Sequence, residues 1–329
     1  MAASPAPPLP PPVFISVDTE EDNWGSYASR TEVTNAGALP AFQELCDRYG
    51  AVPTYLVTTP MAAQDSSRDI LCDLLKHGRC EVGGHVHPWN APPVTEETIA
   101  RNSMLCNLPG DLVARKLAAH HALLTQRLEV APQTFRAGRW GLGPGVAWAL
   151  ASLGYTVDVS VSPLVDWSDD LGPDYRAAPR RAYRFRPGDP LTPAPDGALV
   201  EIPPSIGFLG GNPASGMRLR AWALQPIPRK LRMVGVLDRL GIATLRWLSP
   251  ELATGKEMVK LARGLLETGA SHLQITFHSP TLVPGLTPFV KTEDDRRRFL
   301  DRIEQVLDFA RGRGLGFAPL SRGPELLGL

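Results

Sequence analysis

The chain has 329 residues, with 34 basic and 34 acidic side chains, so its formal net charge is zero. Hydrophobic residues make up 43% of the sequence, which is enough for one large domain or two smaller ones. A neutral net charge argues against a nucleic-acid-binding protein, and no apolar run approaches the roughly 18 residues of a membrane span. We therefore expect a folded protein with no nucleic-acid partner and no transmembrane segment.

The N-terminal region and the cysteines indicate in which cellular compartment the protein is expected. Residues 1–12 hold six prolines and are predicted to form a disordered Pro-rich arm. This arm has neither the basic region nor the apolar region of a signal peptide. The four cysteines show no zinc-ribbon spacing and no disulfide framework. We expect a cytoplasmic location in which the cysteines are reduced.

Short β-rich runs alternate with helical patterns, which predicts βα units that build a parallel sheet or barrel. In chain order, the predicted elements are strand 13–18, helix 37–49, strand 53–58, helix 67–77, strand 80–84, helix 111–128 with its N-cap at Asp111, strand 134–135, helix 144–153, strand 155–160, strand 199–202, helix 256–267, strand 272–277, helix 293–311 and a short strand near 315–318. The regular order is interrupted between 163 and 248. We expect a single domain over 13–329 with this interruption as an inserted cover.

The cover divides into two stretches of different composition. Residues 163–213 contain ten prolines and one convincing strand, whereas 217–248 has seven Arg or Lys residues and Asp238 as its single acid. We interpret the basic stretch 218–246 as a helical cover whose arginine stems pack on apolar neighbours. The alternative is peripheral contact with a membrane surface or an anionic lipid carrier.

Side chains able to do acid, base or metal chemistry occur where the predicted strands end. They are Asp18, Glu20, His85, His87, Arg136, Arg139, Asp158, Glu201 and His278. Because the carboxyl ends of parallel strands open onto one common face, we expect these residues to converge there. This pattern is typical of an active site.

Two groups within this set have spacings that suit metal binding. An extended strand places Asp18 and Glu20 on one face, so that one could bind a metal while the other acts as base. An acid-rich turn is an equally good interpretation of that segment. His85 and His87 project to the same side of a strand, a spacing that suits zinc or a related divalent ion. His278 follows a short apolar strand and is a candidate general acid.

The ordered motifs resemble those of the polysaccharide deacetylase family, the NodB-homology carbohydrate esterases of family 4 type. Residues 13–160 and 199–320 carry the resemblance, through Ser16-Val17-Asp18-Thr19-Glu20, Gly84-His85-Val86-His87-Pro88, Phe135-Arg136-Ala137-Gly138-Arg139-Trp140 and Thr276-Phe277-His278. The resemblance implies a distorted (β/α) barrel of about seven strands. The chain departs from the family in its H-x-H spacing, where the family has H-x-x-x-H. Asp158 or Asp166-Trp167 only approximates the family's fourth motif.

A divalent metal ion is the cofactor that the resemblance implies. Glu20, His85 and His87 would hold the ion, with Glu21 and Asp22 as competing acidic ligands. Zinc is the first expectation, and cobalt, nickel and iron are alternatives.

The implied reaction is the hydrolysis of an N-acetyl group on a saccharide. Asp18 would take a proton from water, Arg136 would keep Asp18 ionised, and His278 would protonate the departing amine. The expected substrate contacts are Trp89, Trp140, Arg139 and Asp158, with Trp167 as a further aromatic wall.

Three classes of function follow. The first is a deacetylase that acts on an intracellular intermediate of envelope or exopolysaccharide synthesis. The second is a C–N hydrolase that cleaves a non-sugar amide, and the third is a glycan-binding relative that has lost the metal. The altered histidine spacing favours the third class, whereas the presence of Asp18, Arg136 and His278 argues against it.

Overall fold

The computed structural model describes residues 10–22, 32–210, 213–223, 225, 233–239 and 242–329. The strands of these residues are β1 Val13–Thr19, β2 Thr54–Val57, β3 Glu81–Val86, β4 Thr134–Ala137, β5 Val157–Asp158, β6 Tyr183–Arg186, β7 Asp189–Pro193, β8 Leu199–Glu201, β9 Ile206–Phe208, β10 Leu245–Trp247 and β11 Leu273–His278. The helices are α1 Leu39–Asp47, α2 Thr59–Ala63, α3 Asp65–Lys76, α4 Gly110–Leu128, α5 Pro144–Ser152, α6 Pro213–Ala223, α7 Met233–Arg239, α8 Gly255–Glu267, α9 Glu293–Gly312 and α10 Gly323–Leu326. The predicted alternation of strands and helices is present from β1 to β5.

Nine strands form one sheet in the order β11–β1–β2–β3–β4–β5–β8–β6–β7. The strands from β11 to β8 run parallel to their neighbours. The antiparallel hairpin β6–β7 extends the sheet beyond β8. The parallel part therefore matches the expected barrel of about seven strands, and the hairpin is an addition from the predicted cover.

The barrel closes where the chain that follows β8 meets β11. The backbone N–H of Gln274 donates to Oγ of Ser205 at 2.9 Å. Beside it, Nε2 of His272 donates to the carbonyl oxygen of Pro203 at 2.8 Å. These contacts involve side chains and irregular backbone, so the barrel is distorted at this seam.

A group of three aromatic rings shows how helices cover β11. The ring of Phe277 contacts Phe42 of α1 and Phe299 of α9, with centroids 5.1 and 5.4 Å apart and the rings edge to face. Burying each such ring contributes about 1.5–3 kcal/mol. A capping box between Thr292 and Asp295 fixes the start of α9. This packing holds in place the strand that ends at His278.

The structure corrects two details of the predicted elements. Asp111 is not an N-cap, because α4 begins at Gly110 after Pro109 and no side chain caps it. Asp111 lies in the first helical turn, where a negative charge is also favourable. The predicted strand near 315–318 is reduced to one parallel bridge between Phe317 and Val13.

The Pro-rich part of the cover has more regular structure than predicted. The sequence predicts one strand there, whereas β6, β7 and β9 are also present. Pro190 and Pro193 lie in β7, which is the outermost strand of the sheet. An edge strand tolerates proline because the missing N–H leaves no partner strand unpaired. The hairpin β6–β7 is therefore not predicted from the sequence, because its proline content is high.

The basic stretch 218–246 includes most of α6, all of α7 and part of β10, which pairs with β9. Arg229, Lys230 and Arg232 lie outside the described residues. No helix in the described part of the chain has both the length and the hydrophobicity needed to cross a bilayer. Peripheral membrane contact stays a prediction.

The predicted disordered arm, 1–12, lies mostly outside the described residues. Its last residue, Pro12, accepts a hydrogen bond from the N–H of Leu273 at 3.0 Å. The end of the arm is therefore attached to β11.

Candidate active site and metal centre

The carboxyl ends of four parallel strands meet at one mouth of the barrel. Asp18 and His278 are in register across β1 and β11, and His85 and Arg136 are in register across β3 and β4. All four side chains line a cavity of about 400 Å³ over the strand ends. This volume lies in the roughly 300–1,000 Å³ range of small-molecule sites. The structure thus brings these four predicted residues together in a cavity of suitable size.

Glu20, His85 and His87 form a cluster on the cavity wall that we name the candidate metal centre. Oε2 of Glu20 lies 3.6 Å from Nε2 of each histidine. One ligand atom from each of the three residues lies within 4.8 Å of the others, and all three residues are buried. One carboxylate and two imidazoles are the donor set that zinc and similar divalent ions accept. The residues present therefore fit the ion expected from the sequence.

Neighbouring groups fix the orientation of both histidines. Nδ1 of His85 donates to the carbonyl oxygen of Arg136 at 2.9 Å, which directs Nε2 into the cluster. The ring of His87 stacks on Trp89, with centroids 4.3 Å apart and planes 10° from parallel. Gly138 packs against His87 so closely that a Cβ atom on Gly138 would lie 2.0 Å from Cδ2 of the ring. The two rings therefore occupy preformed positions.

The three consecutive acids after β1 have different surroundings. Glu20 faces Nε2 of both histidines, as described above. Glu21 lies near the other nitrogen of His87, with Oε1 3.7 Å from Nδ1. Asp22 accepts a hydrogen bond from the backbone N–H of Thr34 at 2.9 Å. Of the three candidate acidic ligands, Glu20 is the one placed within the cluster.

Asp18 is a buried carboxylate that pairs with the buried guanidinium group of Arg136. Arg136 also donates from Nη1 to Oγ1 of Thr276 at 2.9 Å, from Nη2 to Oγ of Ser16 at 2.9 Å, and from Nε to the carbonyl oxygen of Val159 at 3.1 Å. Burial acts to raise the pKa of Asp18, but the combined effect of Arg136, His85 and His278 outweighs burial, and the pKa is lowered. Asp18 is therefore ionised at neutral pH and able to accept a proton.

Glu251 lines the cavity and was not predicted from the sequence. Its Oε2 accepts a hydrogen bond from Nδ1 of His278 at 2.9 Å, and its Oε1 accepts one from the backbone N–H of His278 at 3.0 Å. The other ring nitrogen, Nε2, lies 3.6 Å from Oδ2 of Asp18. Burial disfavours the charged ring, but Glu251, together with Glu20 and Asp18, outweighs burial and raises the pKa of His278 to about 10. His278 can therefore donate a proton towards the cavity.

Aromatic side chains form much of the cavity wall. The predicted residues Trp89, Arg139, Trp140 and Trp167 line it, and the structure adds Trp247 and Phe289. The centroid of the Trp140 ring lies 4.8 Å from the guanidinium carbon of Arg136. It lies 5.1 Å from the centroid of the Trp247 ring. The cavity thus combines a charged floor with apolar walls.

Two consecutive residues beside the cavity, Arg139 and Trp140, have left-handed backbone conformations, with φ of 53° and 61°. Such conformations cost non-glycine residues about 1–3 kcal/mol each and persist where surrounding contacts enforce them. Here Oη of Tyr175 donates to the carbonyl oxygen of Trp140 at 2.6 Å. Nη1 of Arg139 donates to Oγ of Ser103, also at 2.6 Å. Contacts from two other segments therefore hold the turn that presents both side chains to the cavity.

Asp158, predicted from the sequence to contact the substrate, is not among the residues that line the cavity. It is fully buried, and its two carboxylate oxygens accept hydrogen bonds from the N–H and Oγ of Ser160, both at 2.9 Å. Glu201 lies in register beside it on β8, and burial together with the charge of Asp158 raises the pKa of Glu201 well above its usual range. Oγ of Ser160 in turn accepts a hydrogen bond from the N–H of Ala137 at 2.8 Å. The acid pair therefore supports the strand end that carries Arg136.

The sequence matches no family model and no curated protein, but solved structures are similar in fold. One is a protein from Parabacteroides distasonis that is provisionally assigned as a glycoside hydrolase/deacetylase. Its TM-score is 0.60 at 13% identity, and the match covers 97% of this chain and 72% of that one. Another, from Mycobacterium smegmatis, is provisionally assigned as a polysaccharide deacetylase. Its TM-score is 0.50 at 15% identity, and the match covers 94% of this chain and 96% of that one.

These likenesses concern the fold. Together with the parallel barrel described above, they confirm the distorted (β/α) barrel that the sequence predicts.

Proposed function

We propose that this chain is a metal-dependent hydrolase that removes an N-acetyl group from a saccharide. The observation that carries the proposal is the position of Asp18 and His278, with Oδ2 and Nε2 3.6 Å apart, in the cavity that also contains the candidate metal centre. An ionised carboxylate, a charged imidazole and a divalent-ion site supply the base, the acid and the electrophile of amide hydrolysis. The fold likeness to two proteins assigned as deacetylases supports this chemistry.

The proposed mechanism moves two protons. A divalent ion, when bound at the candidate metal centre, supplies Lewis-acid polarisation of the amide carbonyl. Asp18 takes a proton from the water molecule that attacks the carbonyl carbon. His278 then donates a proton from Nε2 to the amide nitrogen as the C–N bond breaks. The products are acetate and the free amine of the sugar.

The surroundings of each group suit the direction of its proton transfer. Arg136 lowers the pKa of Asp18 against the effect of burial, so this carboxylate begins the cycle without a proton. Glu251, together with Glu20 and Asp18, raises the pKa of His278 to about 10, also against burial, so the imidazole begins with one. After turnover Asp18 holds a proton that His278 lacks. Transfer across the 3.6 Å between them is favourable and restores both groups.

The walls of the cavity support a saccharide as substrate. Trp89, Trp140, Trp167 and Trp247 offer flat apolar surfaces around a polar floor, an arrangement that can cover the C–H face of a sugar ring while its acetamide group reaches Asp18. The volume of about 400 Å³ favours a short saccharide or the end of a longer one. We propose zinc as the ion and an N-acetylated intermediate of envelope or exopolysaccharide synthesis as the substrate.

Metal analysis and acetate release test the proposal together. Zinc-loaded protein is incubated with N-acetylated monosaccharides and oligosaccharides, and the Asp18→Asn and His278→Ala variants are expected to lose activity by about 10²–10⁴-fold with metal and fold retained. The His85→Ala and His87→Ala variants are expected to lose the metal. His77→Ala is the matched control, because His77 is exposed and bonds to the backbone of its own helix. Near-normal rates in Asp18→Asn or His278→Ala, or a protein that takes up no ion, would contradict the proposal.

A further inference from the structure

We propose that Glu21 is a positioning residue that orients His87 and thereby sets the affinity of the candidate metal centre for its ion. Nδ1 of His87 is buried and has no hydrogen-bond partner among the described residues. The carboxylate of Glu21 faces this atom, with Oε1 3.7 Å away. The inference rests on the proposed function in one respect, which is that an ion binds at this centre.

A histidine that binds a metal through one nitrogen carries its proton on the other. A carboxylate or carbonyl group beside that proton fixes the tautomer and the ring orientation, and a carboxylate also makes the ring a stronger donor. His85 has such a partner in the carbonyl oxygen of Arg136, at 2.9 Å. Glu21 occupies the corresponding place beside His87. One histidine is therefore oriented by a neutral carbonyl group and the other by a charged carboxylate.

Glu21 is itself held in position. Nδ2 of Asn90 donates to its Oε1 at 2.6 Å, and Oγ1 of Thr58 donates to its Oε2 at 3.2 Å. Glu21 is only 4% exposed. A buried carboxylate requires hydrogen-bond donors to offset the loss of water. With both oxygens anchored, the carboxylate of Glu21 faces Nδ1 of His87 and needs only a small approach from 3.7 Å to accept its hydrogen bond.

The geometry separates Glu21 from the metal ligands. Glu20 lies 3.6 Å from Nε2 of His87, whereas Glu21 lies near Nδ1. These nitrogens point away from each other across the imidazole ring, so the two acids lie on different sides of His87. Glu21 is also absent from the cluster whose ligand atoms lie within 4.8 Å of one another. Glu21 therefore acts through His87 and not on the ion.

The test is the affinity of metal-free, full-length protein for zinc or cobalt alone, measured by competition with a chelator. Glu21→Gln keeps an acceptor beside Nδ1 but removes the charge, and we expect binding about 10-fold weaker. Glu21→Ala removes both, and we expect a loss approaching about 100-fold. The control is Glu304→Gln, which removes the charge of a half-exposed acid paired with Arg48, outside the candidate metal centre. Its affinity is expected to equal that of the unmutated protein.

The absorption spectrum of bound cobalt distinguishes positioning from direct ligation, because it depends on the number and type of ligands. A positioning role leaves the spectrum of Glu21→Gln unchanged while affinity falls. Loss as complete as in Glu20→Gln with an altered spectrum would make Glu21 a ligand and overturn the inference. Affinities in both Glu21 variants equal to that of the unmutated protein would also overturn it. If Glu21→Ala does not fold, the size-matched Glu21→Gln variant decides. Failure of the unmutated protein to bind either ion would refute the proposed function itself.

Discussion

The carboxylate of Glu251 binds His278 at two points, the backbone N–H at 3.0 Å and the ring Nδ1 at 2.9 Å. Oγ1 of Thr281 donates a third hydrogen bond to the same carboxylate at 2.6 Å. This arrangement fixes the position of the imidazole ring and the nitrogen that faces Asp18. It also places a full negative charge where it favours the protonated ring.

Glu251→Gln is expected to move the alkaline limb of the pH profile of kcat/KM to lower pH. His278 acts as an acid only while protonated, so activity is lost as the pH rises through its pKa. That pKa is raised to about 10 against burial, with Glu251 as the largest raising contribution beside Glu20 and Asp18. Removing the charge lowers that pKa by about 1–3 units. Acetate release measured between pH 6 and 11 checks the shift. Glu304→Gln, which removes a half-exposed acid paired with Arg48, is the control, and an alkaline limb shared by both variants would refute this prediction.

Gly138→Ala is expected to abolish metal binding. The added methyl group would lie 2.0 Å from Cδ2 of His87 and 2.7 Å from the carbonyl oxygen of Val86, so the ring must leave its place. Zinc content after loading and dialysis measures the effect. Gly145→Ala is the matched control, because its methyl group makes one ordinary contact, at 3.7 Å with Gly110. Equal zinc content in the two variants would show that the ring can move without losing the ion.

Replacement of the two acids in the buried pair is expected to have unequal effects. The raised pKa of Glu201 means that it is protonated and donates to Asp158, so Glu201→Gln, which keeps a donor, should change the free energy of unfolding by less than about 1 kcal/mol. Asp158 accepts hydrogen bonds from two donors of Ser160. Asp158→Asn replaces one accepting oxygen by an NH₂ group, so that a donor faces a donor. The expected loss is about 1–3 kcal/mol, measured by urea unfolding. Equal losses would mean that the proton is not on Glu201.

Protonation of His272 is expected to destabilise the folded protein in weak acid. Burial lowers its pKa from 6.5 to about 4 in the folded protein. The unfolded chain therefore binds the proton more readily than the folded protein. The contribution of His272 to the free energy of unfolding is fully present above about pH 6.5 and decreases as the pH falls towards about 4. Below about pH 4 this residue causes no further loss. The shift corresponds to about 3 kcal/mol in total. Urea unfolding at pH 7 and pH 5 measures it, and a His272→Gln variant with the same pH dependence would assign the loss to other groups.

The sequence predicts the strand ends of the site well because their signals are local. A strand alternates sides with a period of two, so Asp18, His85 and His87 could be placed on chosen faces without knowledge of the rest of the chain. Because the carboxyl ends of parallel strands lie at the same end of a barrel, these residues are then predicted to lie close to His278. These steps use only the order and length of the elements.

The residues that the sequence misses come from irregular segments. Glu251 lies in a loop after Pro250. The one feature of the sequence that singles it out is that Glu251 and Asp238 are the only acidic residues between 217 and 256. Trp247 reaches the cavity from β10, a short strand within the predicted cover. Asp158 shows the converse case. This strand-end acid lies beside Glu201 of the neighbouring strand and does not line the cavity, and the register that pairs the two acids is not a local property of the sequence.

The pairing of β1 has a consequence for how the chain can fold during synthesis. β1 lies between β2 and β11, and its register with β11 runs from Val13 beside Leu273 to Asp18 beside His278. A ribosome makes these partners about 260 residues apart, so β1 keeps one open edge until nearly the whole chain has been made. Open edges pair readily with other strands. A nascent or truncated chain without β11 would therefore lack His278, the proposed general acid, and would expose an aggregation-prone edge, so that loss of activity and loss of solubility would occur together.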